Sequence, residues 1–459
     1  MTQTRRETLK LGAAGLAALA LPNAGRAAGL PTLEPRPAVQ RLLPDEYPET
    51  EIWGYGGRAP GEAIRVPQGG RVQRRLVNGL PAPTSVHWHG IRIENAMDGV
   101  AGLTQEAVEP GASFDYDFVV PDAGTYWYHA HAASVEQVAR GLSGPLIVEE
   151  TEAYDVDREE TLLLDDWLLE RDGQLFAEFD SPHEASHAGR VGNVTTTNGE
   201  HRLSMPVTSG ERIRLRLINA ANARIFGLAL EGMSGWIVAL DGMPLQAPRE
   251  APPEMVLAPA QRIDLVVDVT AGDGEEAFLL HVDNGDIYVQ TSFPVSGTAA
   301  RAARGAPAPL PPNATPEVSA DARPLELLME GGAMGGMRSA MLGGESLGMR
   351  SLMRRGMFWA FNGTAGMTDA PLAELARGES VRLTIRNETA FPHAMHLHGM
   401  HFREIRPDGA PGDMRDTTLL FGGEAREIAF VADNPGNWLL HCHMLAHAAS
   451  GMRTWLRVA

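Results

Sequence analysis

Ten of the fifteen histidines in this 459-residue chain fall into four short motifs. His87 and His89 lie in HWHG, His129 and His131 in YHAH, and His393, His396 and His398 in HAMHLHG. His441, His443 and His447 lie in HCHMLAH. Cys442, the single cysteine, stands between two of them, and Met452 follows ten residues later. Imidazole suits copper, zinc and iron, while thiolate and thioether select softer ions. On a strand, alternate side chains share a face, so each His-x-His offers two imidazoles to one side. His441 and His443 therefore face away from Cys442, and the thiol needs ligands of its own. His393 and His447 are the imidazoles left over. Two histidines, a thiolate and a weak axial methionine make a blue-copper electron-transfer centre. The eight paired imidazoles suit a separate cluster of three metals with positions open to a small molecule. Cys442 is covalently next to ligands of that cluster on both sides, which gives an electron a path of few bonds.

Each piece has a plainer reading. A single His-x-His is more often a satisfied core pair, and a lone buried cysteine is commonly structural. Zinc is the usual occupant of Cys/His sets, but structural zinc sites draw four ligands from compact loops. Here the ligands run from His87 to Met452, at matched places in a repeat.

That repeat defines the elements that must position them. RVQRRLVN ends at Asn78, RIRLRLIN at Asn219 and VRLTIRN at Asn387. Each alternates apolar and polar residues, the pattern of a half-buried strand. Nine and eleven residues after Asn78 come His87 and His89; the same steps from Asn387 reach His396 and His398. From Asn219 they reach Leu228 and Leu230, so the middle unit carries leucine where its siblings carry histidine. GTYWYHAH and GNWLLHCH supply a second landmark, and AFLLHV at His281 answers it weakly. Three all-β sandwich units are expected, over 35–150, 160–300 and 323–459, with an Ala/Pro-rich linker over 301–322.

The formal net charge of −19 argues against nucleic acid as a partner and for cations. One cysteine excludes intrachain disulfides. Residues 1–28 open with Arg5 and Arg6, continue through an apolar stretch from Leu11 to Leu21, and end in small residues. This is the layout of a twin-arginine export signal, too short to span a bilayer. The expected partner is the twin-arginine machinery, the expected location the periplasm, with no stable membrane insertion.

TSVHWHGIRIENAMDG, GTYWYHAHAASVEQVARGLSGPLIV and HCHMLAHAASGM strongly resemble the multicopper oxidases, the group of laccases, ferroxidases and bacterial cuprous oxidases. The likeness covers nearly all the chain after the export segment. It implies three consecutive cupredoxin-like Greek-key domains and four coppers. His393, Cys442, His447 and Met452 would hold the type 1 copper, and His87 and His396 the type 2 copper. His89, His129, His131, His398, His441 and His443 would hold the type 3 pair. The implied activity is one-electron oxidation of a small reducing substrate coupled to reduction of O2 to water. Asp98, in MDG, matches an acid that relays protons in that family; a turn aspartate before glycine is the simpler alternative. Two departures stand out. Ala394 replaces the proline common after the first type 1 histidine. Ala448 and Ala449 follow His447 where some bacterial members carry a carboxylate, which removes a second proton route.

Residues 329–357 hold seven of the nineteen methionines. Met337, Met341, Met349, Met353 and Met357 include spacings of four, so part of the segment is expected as a helix with a thioether face. Thioethers prefer Cu(I), and Met-rich insertions near the type 1 site mark the cuprous oxidases of the resembled family. The expected substrate is therefore Cu(I), with Met337, Met341 and Glu388 as candidate docking residues and copper tolerance as the role. A flexible apolar lid is the plainer account of the segment. A laccase acting on phenols or aromatic amines is the alternative enzyme. A periplasmic copper-buffering protein is the alternative of another class.

Overall fold

Each strand marked by the repeat ends on a buried asparagine that acts as a brace. The Oδ1 of Asn78, Asn219 and Asn387 accepts from the backbone N–H two residues on, at 2.9, 2.9 and 3.0 Å. The Nδ2 groups donate onward to Ala82 and Val108, to Arg224 and Leu257, and to Phe391 and Phe421. Each amide thus fixes the loop that leads into the next strand, an Asx turn with its second end tied down. The repeat therefore preserves a turn as well as a strand.

The computed structural model describes residues 29–299 and 304–459. The expected export segment, and residues 301–303 of the expected linker, lie outside the described residues. The sheets assort into three sandwiches. In the first, Ile64–Pro67, Ser143–Glu149, Gly124–Ala130 and Val86–His89 form one sheet, opposite Thr32–Leu33, Arg71–Val77 and Ser113–Val119. In the second, a six-stranded sheet built around Arg158–Trp167, Arg212–Asn219 and Arg262–Val269 packs on one containing Phe226–Glu231, Glu276–Asp283 and Asp286–Thr298. In the third, Arg323–Gly331, Glu379–Asn387 and Ala425–Ala432 pack on His393–Leu397, Gly436–Cys442 and Arg453–Val458. Parallel pairings of Arg158–Trp167 with Arg212–Asn219, and of Arg323–Gly331 with Glu379–Asn387, close each sandwich through long crossovers. The chain is all-β, with three cupredoxin domains and few short helices.

Register explains the histidine-free middle unit. His87 pairs with His129, His396 with His441, and Leu228 with His281. The weak landmark at His281 is thus the true counterpart of His129 and His441, and it faces leucine instead of a second imidazole.

One expectation needs correction. The alternation in RIRLRLIN predicts a half-buried strand, yet Arg212–Asn219 is buried on both faces. Arg214 and Arg216 meet Glu150, Glu159 and Asp264, and Arg216 donates to Thr125 Oγ1 of the first sandwich at 3.0 Å. The polar face is covered by a neighbouring domain, and the arginines survive burial because carboxylates neutralise them.

The linker is docked as well. Among residues 304–322 no strand or helix forms. Leu310 is nevertheless buried against Val238, Ala239 and Val266, and Asn313 exchanges hydrogen bonds of 2.8 and 3.0 Å with Ala123. The first and third sandwiches share one apolar core that includes Trp88, Trp438, Cys442 and Met452.

In the Met-rich segment the expected helix is confined to a single turn. Ser339–Leu342 and Glu345–Gly348 form a hairpin, followed by the one-turn helix Met349–Met353. Gly343 and Gly344 take φ of 57° and 79°, the pair of positive values that a tight two-residue hairpin turn requires. Only Met349 and Met353 share a helical turn; Met337 and Met341 do not.

Candidate metal centres

Two groupings of ligand atoms emerge, and they share the strand Gly436–Cys442. In the first, His393, Cys442 and His447 converge and are fully buried. The two Nδ1 atoms are 3.0 Å apart, and Cys442 Sγ lies 3.6 and 3.8 Å from them. The outer nitrogens fix the tautomers. His447 Nε2–H donates to the His187 carbonyl at 2.8 Å. Thr389 gives its hydroxyl proton to Asn387 Oδ1 at 2.8 Å, so its oxygen accepts from His393 Nε2–H at 2.9 Å. Both Nδ1 atoms are therefore left as bare lone pairs facing each other, an arrangement that repels unless a cation stands between them. Burial pushes the Cys442 thiol up to about 12, so the thiolate forms only when a metal displaces the proton. Met452 is buried in the same core, and its backbone bonds both Cys442 and His447.

The second grouping gathers all four His-x-His pairs. His89, His129 and His443 form one set, His131, His398 and His441 another, and His87 and His396 approach His89. Here too most outer nitrogens are occupied. Nδ1–H of His87, His396, His129 and His441 donates to the carbonyls of Asp98, Asp416, Ala130 and Cys442 at 2.8–3.1 Å. His398 Nδ1 meets the Asp98 carboxylate at 3.1 Å. The inner nitrogens then confront one another, His398 Nε2 and His441 Nε2 at 3.1 Å. His443 Nε2 likewise faces His129 Nε2 at 3.4 Å, and the inner His87 Nε2, His396 Nε2 and His89 Nδ1, with the outer His443 Nδ1, are buried without a protein partner. Burial, with repulsion between neighbouring imidazoles, lowers the affinity of His129, His131, His398, His441 and His443 for protons. They stay neutral and ready to ligate. Lone pairs of neutral imidazoles aimed at shared points, with a single thiolate set apart, fit copper.

Two fully buried carboxylates flank the cluster. Asp98 lies 3.2 Å from His87 Nδ1 as well as beside His398. Gly99 follows it at φ 85°, and a Cβ there would fall 1.8 Å from the Val86 carbonyl, so the MDG turn is held against the strand that carries His87. Asp416, on the other side, sits 3.2 Å from His89 Nε2. Arg262, from the second sandwich, grips it at 2.9 and 2.5 Å. Burial opposes ionisation of Asp416, but Arg262 and His89 outweigh it and hold the carboxyl well below its usual range.

Sequence reading missed several contributors. Trp359 is fully buried, with its ring 4.6 and 5.0 Å from those of His447 and His393, and its indole N–H donates to Ala185 at 2.6 Å. His187 and Ala185 belong to an excursion of the second sandwich, around the short helix Pro182–Ser186, that covers His447. No spacing marks these residues; only FWAF at the end of the Met-rich stretch could have drawn attention. The nominated docking residues are dispersed. Met341 is exposed on the hairpin, Met337 is half-buried against Leu347 and Leu352, and Glu388 is exposed just before Thr389. Met334 and Met353 are more exposed, at 72% and 50%.

Multicopper oxidase family models match residues 38–153, 158–298 and 345–459. The chain is similar to the multicopper oxidase MmcO of Mycobacterium tuberculosis, 31% identical over 97% of this chain and 91% of that protein. Among solved structures it is similar to a multi-copper oxidase from Pseudomonas thermotolerans, with a TM-score of 0.81 and 34% identity over 93% of this chain and 98% of that one. It is also similar to Lac15 from a marine microbial metagenome, with a TM-score of 0.77 and 39% identity over 93% and 100%. With its domains, its buried ligand groups and nearly its whole length in agreement, this chain belongs to the multicopper oxidase family, enzymes that reduce O2 with electrons drawn from a reducing substrate.

Proposed function

We propose that the chain oxidises Cu(I) and serves copper tolerance, holding four coppers of its own. His393, Cys442, His447 and Met452 hold the type 1 ion, and His87 and His396 the type 2 ion. His89, His129, His131, His398, His441 and His443 hold the type 3 pair. When bound, these coppers take up single electrons at the thiolate and reduce O2 at the trio. The chain's own residues do the rest. Cys442 joins the two groupings through its peptide bonds to His441 and His443. The hydrogen bonds of Thr389 and His187 keep the inner nitrogens free of protons. Asp98 passes protons toward the cluster, where water formation consumes them.

The observation that carries the Cu(I) reading is the placement of the methionines. Met334, Met341 and Met353 are exposed on the segment that ends at Trp359, the ring packed on both His393 and His447. Ala333 N–H donates to Ser186 at 2.8 Å, which ties this segment to the cover over His447. Met334, next in the chain to Ala333, thus offers an exposed soft thioether near that cover. The copper resistance proteins A of Pseudomonas syringae pv. tomato and Escherichia coli are similar to this chain, at 26% and 24% identity.

The deciding experiment compares kcat/KM for Cu(I), Fe(II) and a phenol, with and without added Cu(II), in the wild type and in a variant with Met334, Met337, Met341, Met349 and Met353 changed to Leu. Loss confined to Cu(I) supports the reading; Cu(I) turnover that survives intact sinks it. Substitution serves better than deleting 329–357, because Met329 is buried and pairs with Asn387. A laccase reading draws on Phe421, 48% exposed next to Leu420, the strand partner of His393; it predicts that the phenol is the better substrate. A protein that only stores copper would show no O2 uptake at an oxygen electrode. Export by the twin-arginine route to the periplasm is tested by changing Arg5 and Arg6 to Lys and assaying the periplasm for the protein.

A further inference from the structure

The excursion that covers His447 carries HEASH, from His183 to His187, around the short helix Pro182–Ser186. Histidines four apart share one helical face, and H-E-x-x-H is the spacing with which a helix grips a metal ion between two imidazoles. The two rings stack here, with centroids 4.2 Å apart and planes 15° from parallel. His183 is exposed and His187 half-buried. Local hydrogen bonds set the tautomer of His187. Ser186 gives its hydroxyl proton to the Pro182 carbonyl at 2.6 Å. His187 Nδ1–H donates to the His183 carbonyl and to Ser186 Oγ, both at 3.0 Å. Its Nε2 is left as a bare lone pair that no described protein group takes, and the ring nitrogens of His183 are equally free among the described residues. Glu184, the general base of this motif in a metalloprotease, is tied to Arg190 at 3.1 and 3.2 Å. The chelating pair is therefore kept without the hydrolytic base. The backbone of His187 meanwhile reaches inward, where its carbonyl accepts from His447 Nε2–H at 2.8 Å.

We propose that His183 and His187 form the docking site for the donor Cu(I), on the outer side of the cover over His447. This site rests on the Cu(I) reading above and names residues of the second sandwich for it. Imidazole suits copper, and a pair of ligands leaves the ion free to depart. The imidazole torsion about Cβ–Cγ is soft, so a modest turn of the exposed His183 ring aims its lone pair at the point His187 Nε2 faces. Phe391 backs the His187 ring, with centroids 5.6 Å apart, and steadies it. Met334 follows Ala333, whose N–H donates to the Ser186 carbonyl, and is the candidate third ligand, a thioether that favours the reduced ion. The negative charge of the chain draws the cation to its surface. An ion on His187 Nε2 is joined to His447 through one residue and one hydrogen bond: the ring, Cβ, Cα and the carbonyl that His447 Nε2–H meets. Each docked Cu(I) gives up one electron along this route and leaves as Cu(II). Four such ions supply the four electrons that, with four solvent protons, convert one O2 into two waters.

The test uses the copper-loaded full chain with His183→Ala, His187→Ala and the two combined. Alanine at 187 keeps the carbonyl that holds His447, so copper content, blue colour, type 1 potential and phenol turnover should stay at wild-type values. Ag(I), a soft ion of the same charge that does not give up its electron here, is titrated by calorimetry and located in crystals by its anomalous scattering. The wild type should hold one Ag(I) between the two rings. H183A and H187A should each weaken it about tenfold or more, since even the loss of an outer partner of a metal ligand costs that much. The double variant should not bind it there at all. The kcat/KM for Cu(I) should fall about tenfold or more in each variant. Ag(I) affinity unchanged in the double variant overturns the proposal, as does Cu(I) turnover that stays at the wild-type rate when both rings are gone. If H187A does not fold, the exposed His183 carries the same decision through H183A. A wild type that oxidises the phenol but not Cu(I) overturns the donor reading and this site with it. Cu(I) oxidation that depends on the methionines but not on His183 and His187 overturns this site alone.

Discussion

At the scale of single residues, tautomers decide what this protein can bind. Every ligand histidine whose outer nitrogen has a hydrogen-bond acceptor presents a bare inner nitrogen, and the acceptor is usually a backbone carbonyl, the next residue's for His129 and His441 and a more distant one for His87, His396 and His447. Cys442→Ser should remove the orange-red absorption and leave three coppers of four, because the serine oxygen is too hard and too weakly acidic to replace the thiolate. Absorption and metal analysis check this. Asp98→Asn should keep all the copper and slow O2 reduction by about 10² or more, the usual weight of a positioned proton donor. Rapid-mixing reoxidation checks it, and an unaltered rate would reduce Asp98 to a turn residue.

At the scale of elements, the Met-rich hairpin is where local sequence and expectation parted. Spacings of four suggested a helix, but paired glycines at 343 and 344, with positive φ at both, turn the chain back on itself. Gly343→Ala and Gly344→Ala should each cost about 1–2 kcal/mol locally. The expected result is faster hydrogen exchange across Ser339–Gly348 and a lower kcat/KM for Cu(I), with phenol turnover and global stability unchanged. The three braced asparagines belong to this scale as well. Asn387 does the most, since it orients Thr389, which in turn sets the tautomer of His393.

At the scale of the whole molecule, the second sandwich supplies none of the groups of three or more ligands found among the described residues but locks the other two. Arg262 leaves it to pair with Asp416 of the third sandwich and to donate to the Thr125 carbonyl of the first at 3.1 Å. Arg262→Met should cost about 3–5 kcal/mol by stranding a buried carboxylate, read as a lowered denaturation midpoint. The metal-free chain should also be acid-sensitive. Burial lowers the proton affinity of nine of the ten motif histidines. A histidine depressed on folding binds more protons when unfolded, so the stability it contributes is intact above about 6.5 and drains away as pH falls through the folded value. That value is about 4 for His447 and about 3 for His131. Asp165, Asp166 and Asp241, raised by burial, act in the opposite sense and are outnumbered. Denaturant titrations from pH 7 to about 4 should show a steep loss without copper and a shallower one with it, since bound metal excludes the protons.

The sequence by itself determined the ligand types, their division into a thiolate set and four imidazole pairs, and the units that carry them. Those features live in spacings of two, nine and eleven residues, where strand period and the Asn turn act locally. The tertiary structure alone decided how the ligands are held: the carbonyl of His187 on His447, the ring of Trp359 with its bond to Ala185, and the Arg262–Asp416 pair. These groups meet across domain boundaries, separated by up to a few hundred residues, and no local periodicity encodes a contact made only when three sandwiches pack. The same reason hid the burial of the arginine strand: alternation records polarity, and the carboxylates of its own sheet, Glu159 and Asp264, with Glu150 and Thr125 of the first unit, decide whether water ever reaches it.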